Sequence, residues 1–264
     1  MHMRVITPPE VILFDWHATL VDTFEAMYHA VDDVLLKFDE LDLLQRMTKP
    51  GESKTAEDAR LVAYVRENLK LHPKVKTDRK ISRTDIFEVL FDHDKEAKHI
   101  AHEEFNHCYQ NHFGEIHPFE EDIDVMLENL GGMGLKLGIL TNRNREFLEH
   151  EIEVIHVTGW AHFFETTVCG DDVSHRKPAP DLILKALENL GVKPGLHCWY
   201  VGDSTTDTIS AKTAGVTNIF YNGAKWDKAW LDKIFPDNAK HPHKPDAVVD
   251  DFKEFFQLVK SCFE

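Results

Sequence analysis

Val11-Ile12-Leu13-Phe14 is a run of four apolar residues with no polar residue among them, closed by Asp15. A strand with one wet face alternates apolar and polar positions. A strand that is apolar throughout must be covered on both faces, which is the condition of a parallel sheet between two layers of helices. Further strand-like segments, predominantly apolar but with one or two polar residues in some, occur at 135–140, 166–169, 199–201, 216–221 and 247–249. Between and after them, apolar residues recur at helical spacing over 122–130, 146–157, 180–190, 207–214 and 252–259. Strands alternating with helices of this length predict βαβ units, hence an α/β fold with a doubly wound, Rossmann-like, mostly parallel sheet.

The first run is set apart from the others by a long block of different texture. Phe24, Met27, Val31, Val34, Leu35 and Phe38 recur at helical spacing, as do Leu61, Val62, Val65 and Leu69, and then Ala97, Ile100, Ala101, Phe105, Cys108 and Tyr109. Pro50-Gly51 and Pro73 separate these helices. Connections inside a compact βαβ unit are short, so residues 23–115 are expected to form an inserted all-helical cap. Residues 1–22 and 116–264 are then the core. A length of 264 residues suits one core plus a smaller module.

The net charge of −16 argues against a general nucleic-acid binder or a protein held on anionic lipid, both of which need positive potential. Four cysteines lie far apart with no ligand spacing. The first residues carry no apolar segment of the signal type, and no run of about 18 apolar residues occurs. The expectation is a cytoplasmic protein, monomer or homodimer, that meets neither nucleic acid nor membrane.

Open parallel sheets bind ligands beyond the carboxyl ends of their strands. The residues there are Asp15, Thr141 and Gly202-Asp203, with Lys177 in HRKPAP between the last two. A carboxylate nucleophile, a hydroxyl, a lysine and a second carboxylate suit phosphoryl chemistry. That chemistry needs a positioned nucleophile and positive charge on the non-bridging oxygens. Mg²⁺, a hard cation that prefers oxygen ligands, suits Asp15 with Asp203.

FDWHATLVD, GILTN, HRKPAP and GDSTTD, in this order, resemble the four motifs of the haloacid dehalogenase superfamily. The spacings, 36 residues from Thr141 to Lys177 and 26 from Lys177 to Asp203, are those of its phosphatase branch. The resemblance implies Mg²⁺-dependent hydrolysis of a small phosphorylated metabolite through an aspartyl-phosphate, with the cap selecting the substrate. By the same resemblance Asp15 is nucleophile and metal ligand. Thr141 and Asn142 bind the phosphoryl group, Lys177 orients and balances charge, and Asp203 and Asp207 serve the metal. His17 holds the metal through its backbone carbonyl.

Two positions depart from the family's Asp-x-Asp-Gly-Thr. His17 stands where a second carboxyl acts as acid and base, and Ala18 where glycine is usual. Imidazole, with an unperturbed pKa of about 6.5, suits both proton roles near neutrality. If the glycine position requires positive φ, Ala18 is strained. The alternatives are a dehalogenase, a phosphonate-cleaving enzyme with a Schiff-base lysine in the cap, or an impaired relative that binds without turnover. Two further features remain. Residues 66–83 carry a local excess of basic charge, read as a solvated helix end or as a surface attracting an anionic substrate tail. The six histidines His93, His99, His102, His107, His112 and His117 form no recognised ligand spacing and read as solvated helix faces.

Overall fold

The computed structural model describes residues 6–78, 83–239 and 242–263. By internal packing the chain forms two compact units, Thr23–Ile116 on one hand, and Met1–Asp22 with His117–Glu264 on the other.

In chain order, β1 (Val11–Asp15) and β2 (Val21–Asp22) precede a purely helical stretch. It holds α1 (Phe24–Leu36), α2 (Ala56–Asn68), α3 (Pro73–Asp78), α4 (Arg83–Phe91) and α5 (Lys95–Tyr109). Then come β3 (His117–Pro118), α6 (Ile123–Gly132), β4 (Lys136–Leu140), α7 (Arg145–Val154) and β5 (Thr166–Val168). The chain continues with α8 (Asp181–Leu190), β6 (Cys198–Gly202), α9 (Thr205–Ala214) and β7 (Thr217–Tyr221), and closes with α10 (Lys228–Ile234), β8 (Ala247–Val249) and α11 (Phe252–Ser261).

The six-stranded sheet runs in the order β5-β4-β1-β6-β7-β8, and every pairing is parallel. The apolar first run is therefore the central strand, and all of its residues are buried. Its side chains alternate between the faces, as the pleat demands. Val11 and Leu13 join a core with Leu182, Ile183, Ala186 and Leu187 of α8 and Ala211 of α9. Phe14 turns the other way, meeting Phe255 of α11 edge-on at 5.8 Å and Phe252 at 6.4 Å. Helices thus cover both faces of a doubly wound sheet, which is the α/β architecture expected.

Several boundaries differ from expectation for local reasons. Ser204 caps α9 and accepts from the Asp207 backbone, so the helix starts at Thr205 and not at Asp207. α7 stops at Val154 because Ile155 is extended and His156 sits at φ 62. The β2–β3 ribbon, pairing Val21 with Pro118 and Asp22 with His117, is too short to leave a periodic signal. α10 was also not expected; Asp227 caps it, and none of its residues is buried.

In the unit Thr23–Ile116, α1 packs on α3, α4 and α5. Val31, Val34, Leu35, Phe38, Phe87, Phe91 and Phe105 are buried there. Of the basic residues of 66–83, Arg66 is committed to the carbonyls of Met47 and Thr48, and Lys76 to Asp32. Arg79 and Lys80 lie outside the described residues. Among the described residues no helix is long and apolar enough to cross a membrane.

Candidate active site

The register places Asp15 opposite Leu140, so Thr141 follows immediately at the same sheet edge, and β6 ends alongside at Gly202. Asp15, Thr141 and Lys177 are each less than a tenth exposed. The Lys177 ammonium donates to Asp15 Oδ1 at 2.6 Å, to Asp207 Oδ1 at 2.8 Å and to Tyr200 Oη at 2.9 Å. Tyr200 in turn donates to Asp207 Oδ1 at 2.8 Å. Carboxylate oxygens of Asp15, Asp203 and Asp207 lie within 4.8 Å of one another. The Lys177–Pro178 peptide bond is cis.

Asp207 stands apart from the other two acids. Its Oδ1 accepts from Lys177 and Tyr200, and its Oδ2 accepts from the backbone and the hydroxyl of Ser204. All of its acceptor capacity is engaged within the protein. Gly202 makes this approach possible, since a Cβ there would fall 2.5 Å from Asp207 Cγ. Asn142 is likewise engaged. Its Nδ2 donates to the Lys177 carbonyl at 3.1 Å, and its Oδ1 accepts from the Lys177 N–H at 2.8 Å. The Asn142 side chain therefore fixes the backbone that presents the ammonium. Arg143 donates its backbone N–H to Thr141 Oγ1 at 3.2 Å.

Three close carboxylates face a single ammonium, and burial and crowding show in the titration of Asp15 and Asp203. Burial, with the Asp207 charge adding and Lys177 opposing, pushes Asp15 up to about 6. Burial and then the charges of Asp15 and Asp207 hold Asp203 well above the usual carboxylate range, against Lys177. Burial disfavours charge on Lys177 as well, but the two carboxylates outweigh it and raise its pKa. An excess of buried anionic oxygen is the donor set that suits a hard divalent cation.

The loop after β1 holds a second constellation that sequence reasoning missed. Trp16 Nε1 donates to Glu151 Oε2 at 2.8 Å, His17 Nε2 lies 3.4 Å from the same oxygen, and Arg143 Nη1 lies 3.3 Å from Glu151 Oε1. Glu151 is 1 % exposed. The signal was present in α7, where Phe147, Leu148, Glu151 and Ile152 form one buried face; a carboxylate in an apolar stripe needs partners. Ala18 adopts φ 59, the left-handed conformation in which the family's glycine costs nothing.

A sequence model of the family described as Haloacid dehalogenase-like hydrolase matches residues 72–221. The chain belongs to that family. The match contains Thr141, Lys177, Asp203 and Asp207 but begins after Asp15 and His17, where the sequence departs from the motif. Pyrophosphatase PpaX of Oceanobacillus iheyensis is 28% identical over 157 residues, 60% of this chain and 67% of its own. Pyrophosphatase PpaX of Bacillus cereus (strain G9842) is 27% identical over 177 residues, 67% of this chain and 74% of its own. Among solved structures, CbbY from Rhodobacter sphaeroides in complex with phosphate aligns at TM-score 0.57 and 20% identity. That alignment covers 94% of this chain and 96% of CbbY. At that identity the likeness establishes the fold. A haloacid dehalogenase-like hydrolase is an enzyme, and the site above is its candidate centre.

Proposed function

We propose that the protein hydrolyses a small phosphorylated metabolite in a Mg²⁺-dependent reaction that passes through a phosphoryl group on Asp15. The observation that carries this reading is the Asp15–Lys177–Asp207 chain of contacts at the carboxyl end of the central strand, with Asp203 beside it. Asp15, Asp203 and the backbone carbonyl of His17 would hold the cation, with Asp207 supporting from behind through the groups it already binds. When bound, Mg²⁺ supplies positive charge against the non-bridging phosphoryl oxygens. The same donor set favours this chemistry over metal-free halide removal.

The chain's own residues account for the remaining steps. Lys177 occupies one oxygen of Asp15 and leaves the other to attack phosphorus. As that P–O bond forms, the ester P–O bond breaks, and the leaving oxygen takes a proton from His17. Thr141 donates its hydroxyl to a phosphoryl oxygen. In the second step His17 takes a proton from water, whose oxygen attacks phosphorus. Asp15 and inorganic phosphate are released. Glu151, beside His17 Nε2, holds the ring in place for both transfers. The helical unit would select the substrate.

A panel of phosphorylated metabolites, with inorganic pyrophosphate included because of the relatives' names, tests the reading. Turnover is expected with Mg²⁺ and is expected to vanish in EDTA. Turnover that persists in EDTA, or no turnover on any phosphate ester or anhydride, overturns it. A product formed by carbon–phosphorus cleavage with an amine-trapped aldehyde would assign the phosphonate branch instead. For His17, the variants His17→Asp and His17→Asn should differ from wild type in pH profile; three superimposable profiles would remove its proton role.

A further inference from the structure

The helical unit carries a second convergent set of ligand-type groups, unrelated to the four motifs. His29 and Asp33 lie one turn apart on α1, so their side chains share a face. At the far end of the unit, Gln110–His112 form a 3-10 turn, and Gly114 at φ 96 reverses the chain so that Glu115 comes back to the same face. His29 Nδ1 lies 2.7 Å from Glu115 Oε2, and His112 Nδ1 lies 3.2 Å from Glu115 Oε1. The remaining nitrogen of His112, Nε2, lies 2.8 Å from Asp33 Oδ2. The two rings are tilted by 47° with centroids 5.4 Å apart.

The protonation logic of this cluster is specific. A carboxylate only accepts, so Asp33 calls for a proton on His112 Nε2. By the same rule Glu115 calls for a proton on His112 Nδ1 while no ion is bound, and a metal ion would displace that proton and take the lone pair it leaves. His29 Nδ1 also faces Glu115. Ligand atoms of His29, His112 and Glu115 come within 4.8 Å of one another. Around a tetrahedral ion at about 2.0–2.1 Å from nitrogen, ligand atoms sit roughly 3.3 Å apart. Small rotations of these partly exposed side chains would bring the observed spacing, 4.8 Å or less, to that value. Two imidazoles and one carboxylate with an open fourth position suit a borderline dication such as Zn²⁺, and suit Mg²⁺ poorly. A carboxylate on the far nitrogen of a ligating histidine is the usual outer support of such sites.

We propose that His29, His112 and Glu115, with Asp33 orienting the His112 ring, bind a transition-metal dication of the zinc class. The ion would tie α1 to the last turn of the unit across 86 residues of chain. It would act as a clasp on the helical unit and take no part in hydrolysis.

The test uses the full chain, stripped of metal and titrated with Zn²⁺ against a chelating indicator, and in parallel with Co²⁺ read by visible absorption. One equivalent of Zn²⁺ is expected to remain bound in Asp203→Asn. It should weaken at least 100-fold in His29→Ala and in Glu115→Gln, whose circular dichroism should match wild type. Co²⁺ should give a strong visible band in wild type and Asp203→Asn but not in the two cap variants. His29→Ala should keep full Mg²⁺-dependent turnover. If wild type takes up no Zn²⁺, or if uptake is lost in Asp203→Asn and unchanged in His29→Ala and Glu115→Gln, the cluster is a hydrogen-bonded ion network only and the proposal fails.

Discussion

Two of the clusters of acidic and basic groups among the described residues are built on opposite principles. At the sheet edge, Asp15, Asp207 and Lys177 are all less than a tenth exposed, positioned by strand ends and a capped helix. In the helical unit, His29, His112, Glu115 and Asp33 have side chains 17–47% exposed on a helix and a turn. Burial makes the first cluster sensitive to every charge in it, because charge–charge energies grow as the dielectric falls. Exposure lets water moderate the second, so its groups move and screen one another at little cost. The difference teaches that the first cluster is a rigid, hard-oxygen environment suited to chemistry. The second is an adaptable nitrogen-containing site suited to holding an ion.

The largest expected effect breaks that comparison most directly. Asp15→Asn keeps the shape of the side chain and removes the proposed nucleophile. Hydrolysis of the best substrate should fall at least 10⁴-fold, about 5.5 kcal/mol of lost transition-state stabilisation. His29→Ala, in the other cluster, should leave the rate unchanged. Steady-state kinetics of the two purified variants decide; activity surviving in Asp15→Asn would move the chemistry elsewhere.

Next in size is stability. Lys177→Met strands Asp15 and Asp207 as close, buried carboxylates with no cation between them. Breaking a buried pair in this way costs about 3–5 kcal/mol, so urea unfolding of the metal-free protein should shift strongly. Lys212→Met provides the partly exposed contrast. It loses a bidentate contact to Asp246 at 2.9 and 3.0 Å and should cost about 1 kcal/mol or less. Equal losses in the two variants would show that burial does not set the energetics. Glu151→Gln comes third. It removes the charge that Trp16, His17 and Arg143 surround, with an expected cost of about 1.5–3 kcal/mol. It should also move the pH dependence of turnover, which a purely structural role would leave in place.

The contrast also explains what the sequence could and could not reveal. Asp15, Thr141 and Asp203 were legible because each follows a wholly apolar run, and strand ends converge in a parallel sheet. Lys177 was legible through the motif order. The helical unit was legible from the spacing of Phe24 to Phe38 and of Ala97 to Tyr109. Glu151 was legible only as a carboxylate in the apolar stripe of α7; its partners Trp16 and Arg143 were not, because they come from other segments. The histidine reading failed in part for the same reason. His99 is indeed exposed, but His112 is mostly shielded between Asp33 and Glu115. Its companions His29 and Asp33 lie some 80 residues away in the chain. A pair at i,i+4 and another at i,i+3 carry no signal until a fold brings them together.

The smallest effect sharpens the view of the buried cluster as a strained one. Ala18 holds φ 59 while its N–H donates to the Val21 carbonyl at 2.8 Å, in the turn that carries His17 away from β1. A Cβ in the left-handed region costs roughly 1–2 kcal/mol, and glycine removes that cost while freeing the unfolded chain somewhat more. Ala18→Gly should therefore stabilise the protein by about 1 kcal/mol in denaturant melts. If the turn's geometry is held by its hydrogen bonds and by Trp16 on Glu151, turnover should stay within a few-fold of wild type. If Ala18→Gly gains stability and loses turnover together, the alanine is holding the turn in its working shape, and the strain belongs to the mechanism.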